Sequence, residues 1–342
     1  MNSQDVKQDQ DREVFHDPSR LKFGAIAIGR NEGDRLKRCL QSLSAAAIVI
    51  YVDSGSSDGS LQCAQELGAK VVELDLKLPF TAARARNAGL KLLREIAPDL
   101  SFVQFVDGDC EVRQDWHLHA LSFLEAHKDF AVVCGRRRER YHERSIYNWL
   151  CDQEWNGPVG EVSGCGGDAM MRTFALNAMG GFREDMIAGE EPELCVRLRA
   201  ASWRIWRLPD EMTLHDAAMT RFGQWWRRSV RAGYAFAQGA YLHGAPPERH
   251  WVWESRRAWL WGVWLPLACL AVSVMFPPWG LAAWLFYPLQ MLRQAVRNPG
   301  QLSDRAVLAF FQVLGRFPEG FGQLKFLRDR LLGAQTALVE YK

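Results

Sequence analysis

From residue 23 on, the chain alternates between short apolar runs and longer segments in which apolar residues recur every third or fourth position. Short apolar runs are typical of strands buried on both faces of a parallel sheet, and the recurring positions are typical of amphipathic helices. The alternation therefore predicts an α/β sheet that is mainly parallel and flanked by helices. Strands are predicted at Phe23–Ile28, Ile48–Val52, Lys70–Leu74, Ser101–Val106, Phe130–Cys134 and, at the outer side, Trp203–Leu208, and helices at Gly33–Leu43, Ser57–Leu67 and Ala82–Ile96.

The pattern changes after about residue 250, where a long uncharged segment replaces the alternation. Ala258–Leu292 comprises 35 residues without Asp, Glu, Lys, Arg or His. Ala258–Phe276 is long enough to cross a bilayer as a helix, and Pro277-Pro278 ends that helix. Trp279–Leu292 would span only roughly 21 Å as a helix, against about 30 Å of hydrocarbon. The segment predicts a hydrophobic helical hairpin that is spanning or re-entrant, or else a hairpin buried in a soluble core.

Basic residues flank the hydrophobic segment on both sides. Arg256 and Arg257 precede it and Arg293 and Arg297 follow it, whereas the Pro-Pro turn carries no charge. Under the positive-inside tendency both ends face the cytoplasm, which predicts a protein of the cytoplasmic membrane with its α/β domain on the cytoplasmic side. Six of the 14 Trp residues fit an aromatic belt at the membrane interface, namely Trp251, Trp253, Trp259, Trp261, Trp264 and Trp279.

The patterns divide the chain into three regions. Residues 1–20 are polar, charged and aperiodic, which predicts a disordered leader. Residues 21–250 make up the α/β domain, and residues 251–342 make up a membrane-associated helical region. Within that region Phe321–Val339 mixes Leu and Phe with basic residues, which predicts a helix that lies on the membrane surface or packs on the α/β domain.

Composition excludes two classes of function. The chain has 42 basic and 40 acidic residues, a net charge of +2, and it has no basic tract interleaved with aromatic residues, so nucleic-acid binding is not expected. Its eight Cys residues show no CxxC pairing or zinc-like spacing. Reduced thiols in a cytosolic compartment are therefore expected instead of a disulfide framework or a structural zinc site.

Two carboxylates follow the fourth predicted strand directly. Asp107 and Asp109 are separated by Gly108, which lets a bulky ligand approach the backbone closely. Ligands of open α/β sheets bind at the carboxyl ends of the strands, and carboxylate oxygens suit Mg²⁺ or Mn²⁺, which in turn can hold a diphosphate. Asp-Gly-Asp is also a common turn sequence.

The loop after the second strand is rich in Ser, Gly and Asp. Ser57 or Asp58 can cap the following helix, and a structural role explains both residues. Asp53 stands at the tip of the strand, where capping gives it no obvious partner, and it is a candidate for hydrogen bonds with a pyrimidine or ribose.

Polar residues also follow the first and third strands. Arg30 and Glu32 come directly after the first strand, and Arg84 and Arg86 lie near the start of the helix after the third. The two helical arginines are candidates for contacting a phosphate or for orienting Asp107. Each arginine taken singly is also compatible with a solvated or ion-paired surface position.

A cluster of carboxylates occurs later, at Gly189-Glu190-Glu191-Pro192-Glu193. Acidic residues in the first turn of a helix interact favourably with its dipole, so a capping role explains them without chemistry. The alternative is a general base, since crowded carboxylates near a diphosphate have perturbed pKa values and one of them can take a proton from an acceptor hydroxyl.

The order of RNE, VDSGSSDGS, AARARNAGL, VDGD and GEEPEL along the chain resembles the family 2 glycosyltransferases of the GT-A fold, over roughly residues 22–240. The resemblance implies an inverting transferase with a Rossmann-like catalytic domain that uses a nucleotide-diphosphate sugar and a divalent metal, Mn²⁺ or Mg²⁺. It implies that Asp53 contacts the nucleobase, that Asp107 contacts the nucleotide sugar and that Asp109 ligates the metal. In the family's Glu-Asp motif the second acid is the base, which corresponds to Glu191 here, with Glu190 before it.

Three further regions carry weaker resemblances. The glycines around Gly166 resemble the segment that lines the sugar pocket, although they can equally form a bend. His215 follows a predicted strand at a place where GT-A enzymes sometimes have a further metal ligand, and with Asp107 it completes the candidate set around Asp109. Gln224-Trp225-Trp226-Arg227-Arg228 is similar to the Gln-x-x-Arg-Trp motif of processive synthases, but Arg228 replaces the final Trp, which argues against a processive enzyme. Arg227 and Arg228 can instead contact a diphosphate or anionic headgroups, or belong to a basic helix at the membrane.

Together with the hydrophobic segment, the resemblance predicts transfer of a sugar to a lipid-linked saccharide acceptor at the membrane in cell-surface polysaccharide synthesis. A UDP-sugar is the expected donor because UDP is common in the family that the chain resembles. Transfer to a polyprenyl monophosphate is the alternative within the enzymes, and a tethered nucleotide-sugar-binding scaffold without turnover is the alternative outside them. A nucleotidyltransferase would carry a basic Gly-rich loop after the first strand, and Ile28-Gly29-Arg30-Asn31-Glu32-Gly33 matches such a loop poorly.

Overall fold

The computed structural model describes residues 23–277 and 279–333. The predicted leader over residues 1–20 lies outside the described residues, as do residues 334–339 of the predicted C-terminal helix. Contacts divide the described chain into two compact units. The first comprises residues 23–141, 151–184 and 191–217, and the second comprises residues 142–150, 185–190 and 218–333. The functional division at residue 250 stays a prediction.

The first unit is built on one mixed sheet, with nine strands in the described part of the chain. The first four strands along the chain pair in parallel, the eighth is antiparallel to both of its neighbours, and the sixth and ninth are parallel to each other. The order across the sheet is β3-β2-β1-β4-β8-β6-β9-β5, and β7 pairs with β9. The strands are β1 (Phe23–Gly29), β2 (Ile48–Asp53), β3 (Lys70–Glu73), β4 (Phe102–Asp107), β5 (Cys110–Val112), β6 (Phe130–Glu139), β7 (Gly160–Glu161), β8 (Ala169–Arg172) and β9 (Arg204–His215).

Helices follow the strands as the apolar spacing predicts. Helix α3 begins after Thr81, whose side-chain oxygen accepts a hydrogen bond from the backbone N–H of Arg84 at 3.1 Å, and it buries Leu90 and Leu93 against the sheet. The helices that begin before residue 218 are α1 (Asp34–Ser42), α2 (Ser60–Glu66), α3 (Ala82–Ile96), α4 (Trp116–Ala126), α5 (Ile146–Glu154), α6 (Thr173–Ala178) and α7 (Glu190–Ala200).

The fold class is confirmed, and the main differences concern the later strands. Strands β6 and β9 extend to Glu139 and His215, well beyond the predicted ends at Cys134 and Leu208. The added part of β6 is mostly charged, and the added parts of the two strands pair in parallel with each other, with Arg137 beside Thr213 and Glu139 beside His215. Arg138 in this part of β6 also donates to Asp152 at 2.9 Å. Strand β9 is also bordered by β5 and β7, two short strands without an apolar run.

The second unit is helical in its described residues. It contains α8 (Phe222–His243), α9 (Val252–Met275), a 3₁₀ segment (Trp279–Leu285), α10 (Phe286–Arg297), α11 (Leu302–Leu314) and α12 (Arg316–Leu331). Within the described residues α9 is the one helix whose length and composition suit a membrane span, and 17% of its most apolar stretch is buried.

The predicted hydrophobic hairpin is present, and its first arm ends at Met275. Trp284 donates its indole N–H to the hydroxyl of Ser273 at 3.1 Å, and the hydroxyl of Tyr287 donates to the carbonyl of Trp261 at 2.9 Å. A Cβ on Gly280 would lie 2.4 Å from the Cα of Ser273, so the two arms pack closely there. Large apolar side chains on both arms, such as those of Leu270 and Leu289, are more than half exposed.

Candidate functional site

The carboxyl ends of β1, β2 and β4 meet at one edge of the sheet. In the parallel register Gly29 stands beside Asp53, and Ile28 stands beside Asp107. The loops after these three strands therefore begin side by side, at the edge where ligands of open α/β sheets bind.

Asp53 has partners that the sequence did not reveal. Its Oδ1 accepts a hydrogen bond from the hydroxyl of Tyr51 at 2.9 Å, and its Oδ2 accepts from the backbone N–H groups of Gly55 and Ser56 at 2.8 Å each. The expectation that no structural role explains Asp53 is therefore wrong, because the buried carboxylate fixes the loop after β2. Each carboxylate oxygen can accept more than one hydrogen bond, so the side chain keeps acceptor capacity.

The loops after β1 and β2 are hydrogen-bonded to each other. The side-chain oxygen of Asn31 accepts from the backbone N–H of Ser57 at 2.7 Å, and Asp58 accepts from the backbone N–H of Gly33 at 2.9 Å. Arg30 is exposed beside this contact, whereas Glu32 is buried and forms an ion pair with Arg35 at 2.8 Å. Both predicted residues thus lie at the sheet edge, one turned to solvent and the other held in the protein.

Arg86 joins the two acidic motifs. Its Nη2 donates to Asp107 Oδ1 at 2.8 Å, and its Nη1 lies 2.6 Å from Glu191 Oε1. Arg86 is 2% exposed and lies against the ring of Phe182, 5.7 Å from the ring centroid. A single buried guanidinium therefore connects the carboxylate after β4 with the carboxylate at the start of α7, although 84 positions separate them in sequence.

Gly167 lies directly against this ion-pair network. A Cβ at this position would be 2.5 Å from Nη2 of Arg86, 3.0 Å from Oε1 of Glu191 and 3.1 Å from Oδ2 of Asp107. The sequence singled out Gly166 in this segment, but Gly166 is exposed and a Cβ there would meet nothing within 4 Å. The close approach thus belongs to the neighbouring glycine.

Arg137 is a site residue that sequence reasoning missed. From β6 its Nη2 reaches Asp107 Oδ2 at 3.1 Å and Asp168 Oδ1 at 2.8 Å. Asp168 is fully buried and also accepts from Thr213 at 2.7 Å and from the backbone N–H of Asp107 at 3.0 Å. The available signal was the charged run after the apolar part of β6, which becomes informative only when the strand is known to continue.

Two arginines shift the protonation of Asp107. Burial by itself raises the pKa of this carboxyl, but the charges of Arg86 and Arg137 outweigh burial and hold its pKa below the usual value. Asp107 is therefore a fixed anion whose two oxygens are both engaged.

Asp109 and His215 lie together beside the network. Nε2 of His215 is 3.2 Å from Asp109 Oδ2, and Nδ1 is 3.2 Å from Glu139 Oε2. Burial lowers the pKa of His215, but the carboxylates of Asp109 and Glu139 outweigh it and raise the pKa above its usual value. Ligand atoms of Asp109, Cys110 and His215 all lie within 4.8 Å of one another.

These residues fit a divalent metal. A carboxylate oxygen and an imidazole nitrogen suit Mn²⁺ and related ions, and the 3.2 Å between Asp109 Oδ2 and His215 Nε2 is close to the ~3 Å expected between two adjacent ligands at about 2.1 Å each. Asp107, the third predicted ligand, belongs to a second group with Cys110 and Asp168, and Cys110 is common to both groups.

The remaining predicted residues are Arg84, Glu190, Arg227 and Arg228. Arg84 does not reach Asp107: its guanidinium donates to the backbone carbonyls of Asp75, Leu78 and Pro79, so the expectation that it orients Asp107 is wrong. Glu190, Arg227 and Arg228 belong to the second compact unit. Glu190 is buried and Arg227 is exposed.

Comparison with known proteins agrees with this architecture. The structure superposes with a TM-score of 0.57 on a mannosyltransferase of Pyrobaculum calidifontis, PcManGT, in complex with GDP-Man and Mn²⁺, at 17% identity and covering 92% of this chain and 89% of that one. The fold is therefore that of the GT-A glycosyltransferases. Residues 26–175 match the model of the glycosyl transferase family 2.

Two curated relatives have glycosyltransferase names. The pre-mycofactocin glycosyltransferase of Mycobacterium tuberculosis is 28% identical over 239 residues, which cover 66% of this chain but 49% of that protein. The chain thus spans about half the length of that relative. The glycosyltransferase AglE of Haloferax volcanii is 22% identical over 327 residues, covering 90% of this chain and 97% of that protein.

Proposed function

We propose that this protein is an inverting glycosyltransferase that moves a sugar from a nucleotide-diphosphate sugar to a hydroxyl of a lipid-linked saccharide. The observation that carries the proposal is the contact of Arg86 with both Asp107 and Glu191. A donor held at the end of β4 would lie next to a carboxylate that can act on an acceptor. The names of the relatives and of the matched family support the same chemistry.

Each carboxylate has a distinct part in the proposed reaction. Glu191, with Glu190 before it, accepts the proton of the acceptor hydroxyl, which attacks the anomeric carbon from the face opposite the leaving group. Asp53 accepts a hydrogen bond from the nucleobase, with Arg30 and Glu32 beside it. Asp107 contacts the nucleotide sugar. A single displacement of this kind inverts the anomeric configuration.

Asp109 and His215 would hold Mn²⁺ or Mg²⁺. The ion, when bound, supplies positive charge that stabilises the leaving nucleoside diphosphate. The Mn²⁺ in the mannosyltransferase complex supports this cofactor for the fold. GDP-Man is the donor in that complex, whereas UDP-sugars remain our first expectation for this chain.

The acceptor is proposed from the apolar hairpin. Its two arms expose large apolar side chains, and the ends of the segment are basic. An exposed surface of this kind suits the cytoplasmic face of a membrane, with Arg227 and Arg228 available for anionic groups. We therefore propose residues 21–250 as the catalytic domain and residues 251–342 as the membrane region of an enzyme of cell-surface polysaccharide synthesis.

The test is transfer of radiolabelled sugar by the detergent-solubilised protein to a lipid extract. UDP-, GDP- and dTDP-sugars are offered with Mn²⁺ or Mg²⁺, and Asp109→Ala serves as the control. The proposal expects metal-dependent label in a lipid-linked product from one donor, with none in the variant. Binding of donor without turnover at any acceptor would favour a scaffold and contradict the proposal.

The chemistry of the product separates two acceptors. A sugar added to an existing saccharide forms a glycosidic bond that survives mild acid, whereas a sugar on a polyprenyl monophosphate forms an acid-labile phosphodiester. The proposal expects an acid-stable product, and release of the label by mild acid would establish the polyprenyl-phosphate alternative.

A further inference from the structure

Glu139 stands next to the candidate metal ligands but has no part in the chemistry proposed so far. Three neighbouring strands align at this level of the sheet: His215 of β9 is the register partner of Cys110 on β5 and of Glu139 on β6. Asp109 immediately precedes β5. The imidazole therefore lies between two carboxylates, with Nε2 facing Asp109 and Nδ1 facing Glu139, each at 3.2 Å.

The Glu139 carboxylate is held in position by the backbone. Its Oε2 accepts from the N–H of Ala217 at 3.1 Å, and its Oε1 accepts from the N–H of Tyr141 at 3.3 Å. Glu139 is 2% exposed. Since both oxygens accept from backbone N–H groups, the carboxylate offers His215 an acceptor at a fixed place.

A ligating imidazole must leave one ring nitrogen unprotonated, and the hydrogen bond of the other nitrogen decides which one. An ionised Glu139 has no hydrogen to donate, so in their hydrogen bond Nδ1 is the donor. With an ion bound on the side of Asp109, the proton would stay on Nδ1 and the lone pair of Nε2 would face the ion.

We propose that Glu139 is the positioning residue of the metal site, which fixes the tautomer and the ring orientation of His215. The inference rests on the proposed function, because it requires that His215 ligates the ion. Removal of such an orienting carboxylate typically lowers metal affinity about 10–100-fold. A purely structural role, as an anchor for the backbone at Tyr141 and Ala217, would leave the affinity for the metal unchanged in folded protein.

The test compares Mn²⁺ affinity in Glu139→Gln, His215→Ala and the parent protein. Free Mn²⁺ is titrated by electron paramagnetic resonance in the presence of UDP or GDP, and ¹⁴N modulation of the bound ion reports on the imidazole. Glu211→Gln is the matched control, because Glu211 lies on β9 with His215, is 40% exposed and pairs with Arg138 at 2.9 Å. The parent protein and Glu211→Gln should bind Mn²⁺ with the same affinity.

The inference expects an affinity about 10–100-fold weaker in Glu139→Gln, with reduced ¹⁴N modulation. An affinity within twofold of the parent, with unchanged modulation, would overturn it. Absence of Mn²⁺ binding in the parent with either nucleotide would instead contradict the proposed function. Loss of binding in Glu139→Gln but not in His215→Ala would assign Glu139 itself as a ligand and also overturn the inference.

A measurement on the unsubstituted protein covers the case in which Glu139→Gln does not fold. In ¹⁵N-histidine-labelled protein with Mg²⁺ and nucleotide, the inference expects a protonated Nδ1 and an unprotonated Nε2 at His215. The His215→Ala spectrum assigns the resonances. A protonated Nε2 would overturn the inference.

Discussion

Arg84 and Arg86 lie two positions apart on one helix but differ in burial and in hydrogen-bond partners. Positions two apart on a helix point in different directions, since each residue turns the helix by about 100°. Arg86 falls on the buried stripe that includes Ala83, Leu90 and Leu93, whereas Arg84 lies off it. The spacing in the sequence therefore distinguishes the buried arginine from the exposed one. The partners of Arg86, Asp107 and Glu191, are brought to it only by the tertiary fold.

Replacement of Arg86 should be far more damaging than replacement of Arg84. Arg86→Gln leaves two acidic groups without their shared cation, and breaking such a buried pair costs about 3 kcal/mol in the free energy of unfolding. Arg84→Gln removes hydrogen bonds to exposed loop carbonyls and should cost about 1 kcal/mol or less. Denaturant unfolding of both variants measures the difference. Equal costs would mean that the network around Arg86 does not hold the site together.

A methyl group at position 167 should disturb the same network. Gly167→Ala forces Arg86, Asp107 or Glu191 to move, because a Cβ there would lie 2.5 Å from the guanidinium. We expect at least a tenfold loss of transfer activity. In Gly164→Ala the nearest atom to the new Cβ is 3.7 Å away, so this variant is the control and should keep its activity. Full activity in Gly167→Ala would show that the observed ion pairs are not needed for turnover.

Among the elements, the sequence was most informative for the first four strands, which were predicted to within one residue at each end. Three of them are largely apolar runs bounded by polar residues, whereas β3 has only Val71 and Val72 between Lys70 and Glu73. The C-terminal halves of β6 and β9 were not predicted, because they lack an apolar run. Charged residues there are paired in the fold, as Arg137 is with Asp168, and the sequence does not show such pairs. These are also the segments that bring Arg137, Glu139 and His215 to the site.

Helix α4 carries a buried histidine that should make the fold sensitive to acid. His117 is stacked on Phe23 with ring centroids 4.8 Å apart, and burial lowers its pKa from 6.5 to about 4. The unfolded chain therefore takes up this proton first as the pH falls, so the stability contributed by neutral His117 is present above about pH 6.5 and is lost down to about pH 4. The loss amounts to at most about 3 kcal/mol.

Denaturant unfolding between pH 7 and pH 4.5 measures this dependence, with His117→Phe as the comparison because it keeps an aromatic ring against Phe23. Relative to the unsubstituted protein, the variant should gain stability as the pH falls. A difference between the two proteins that stays constant with pH would contradict the assigned burial of His117.

At the scale of the whole molecule, the sequence predicted both the α/β unit and the hydrophobic hairpin. Periodicity and charge distribution determine both features, so no tertiary information was needed. The two compact units nevertheless divide near residue 218, which no change of composition marks. Helix α8 looks like part of an ordinary α/β domain in sequence, and only its packing against α12, where Gln323 donates to the carbonyl of Gly233 at 2.9 Å, assigns it to the helical unit.

Charged substitutions on the hairpin should release the protein from membranes. Leu270 is 55% exposed and Val274 is 74% exposed, so Leu270→Arg with Val274→Arg places charge on the apolar surface that we propose contacts lipid and leaves the packed side of the hairpin intact. We expect a shift from the membrane fraction to the soluble fraction on sedimentation. Phe174→Arg, at a residue of the first unit that is 71% exposed, is the control and should not shift. Unchanged sedimentation of the hairpin variant would argue against membrane attachment through this surface.

We propose that Glu191 removes the proton from the acceptor while the donor is held by the strand ends. The most direct measurement is the rate of sugar transfer by Glu191→Gln, together with the affinity of the same variant for the donor and Mn²⁺. The amide keeps the size of the side chain but cannot act as the base, so we expect transfer to fall by about 10²–10⁴-fold with donor affinity within a few-fold of the parent. Transfer at the parent rate would contradict the account.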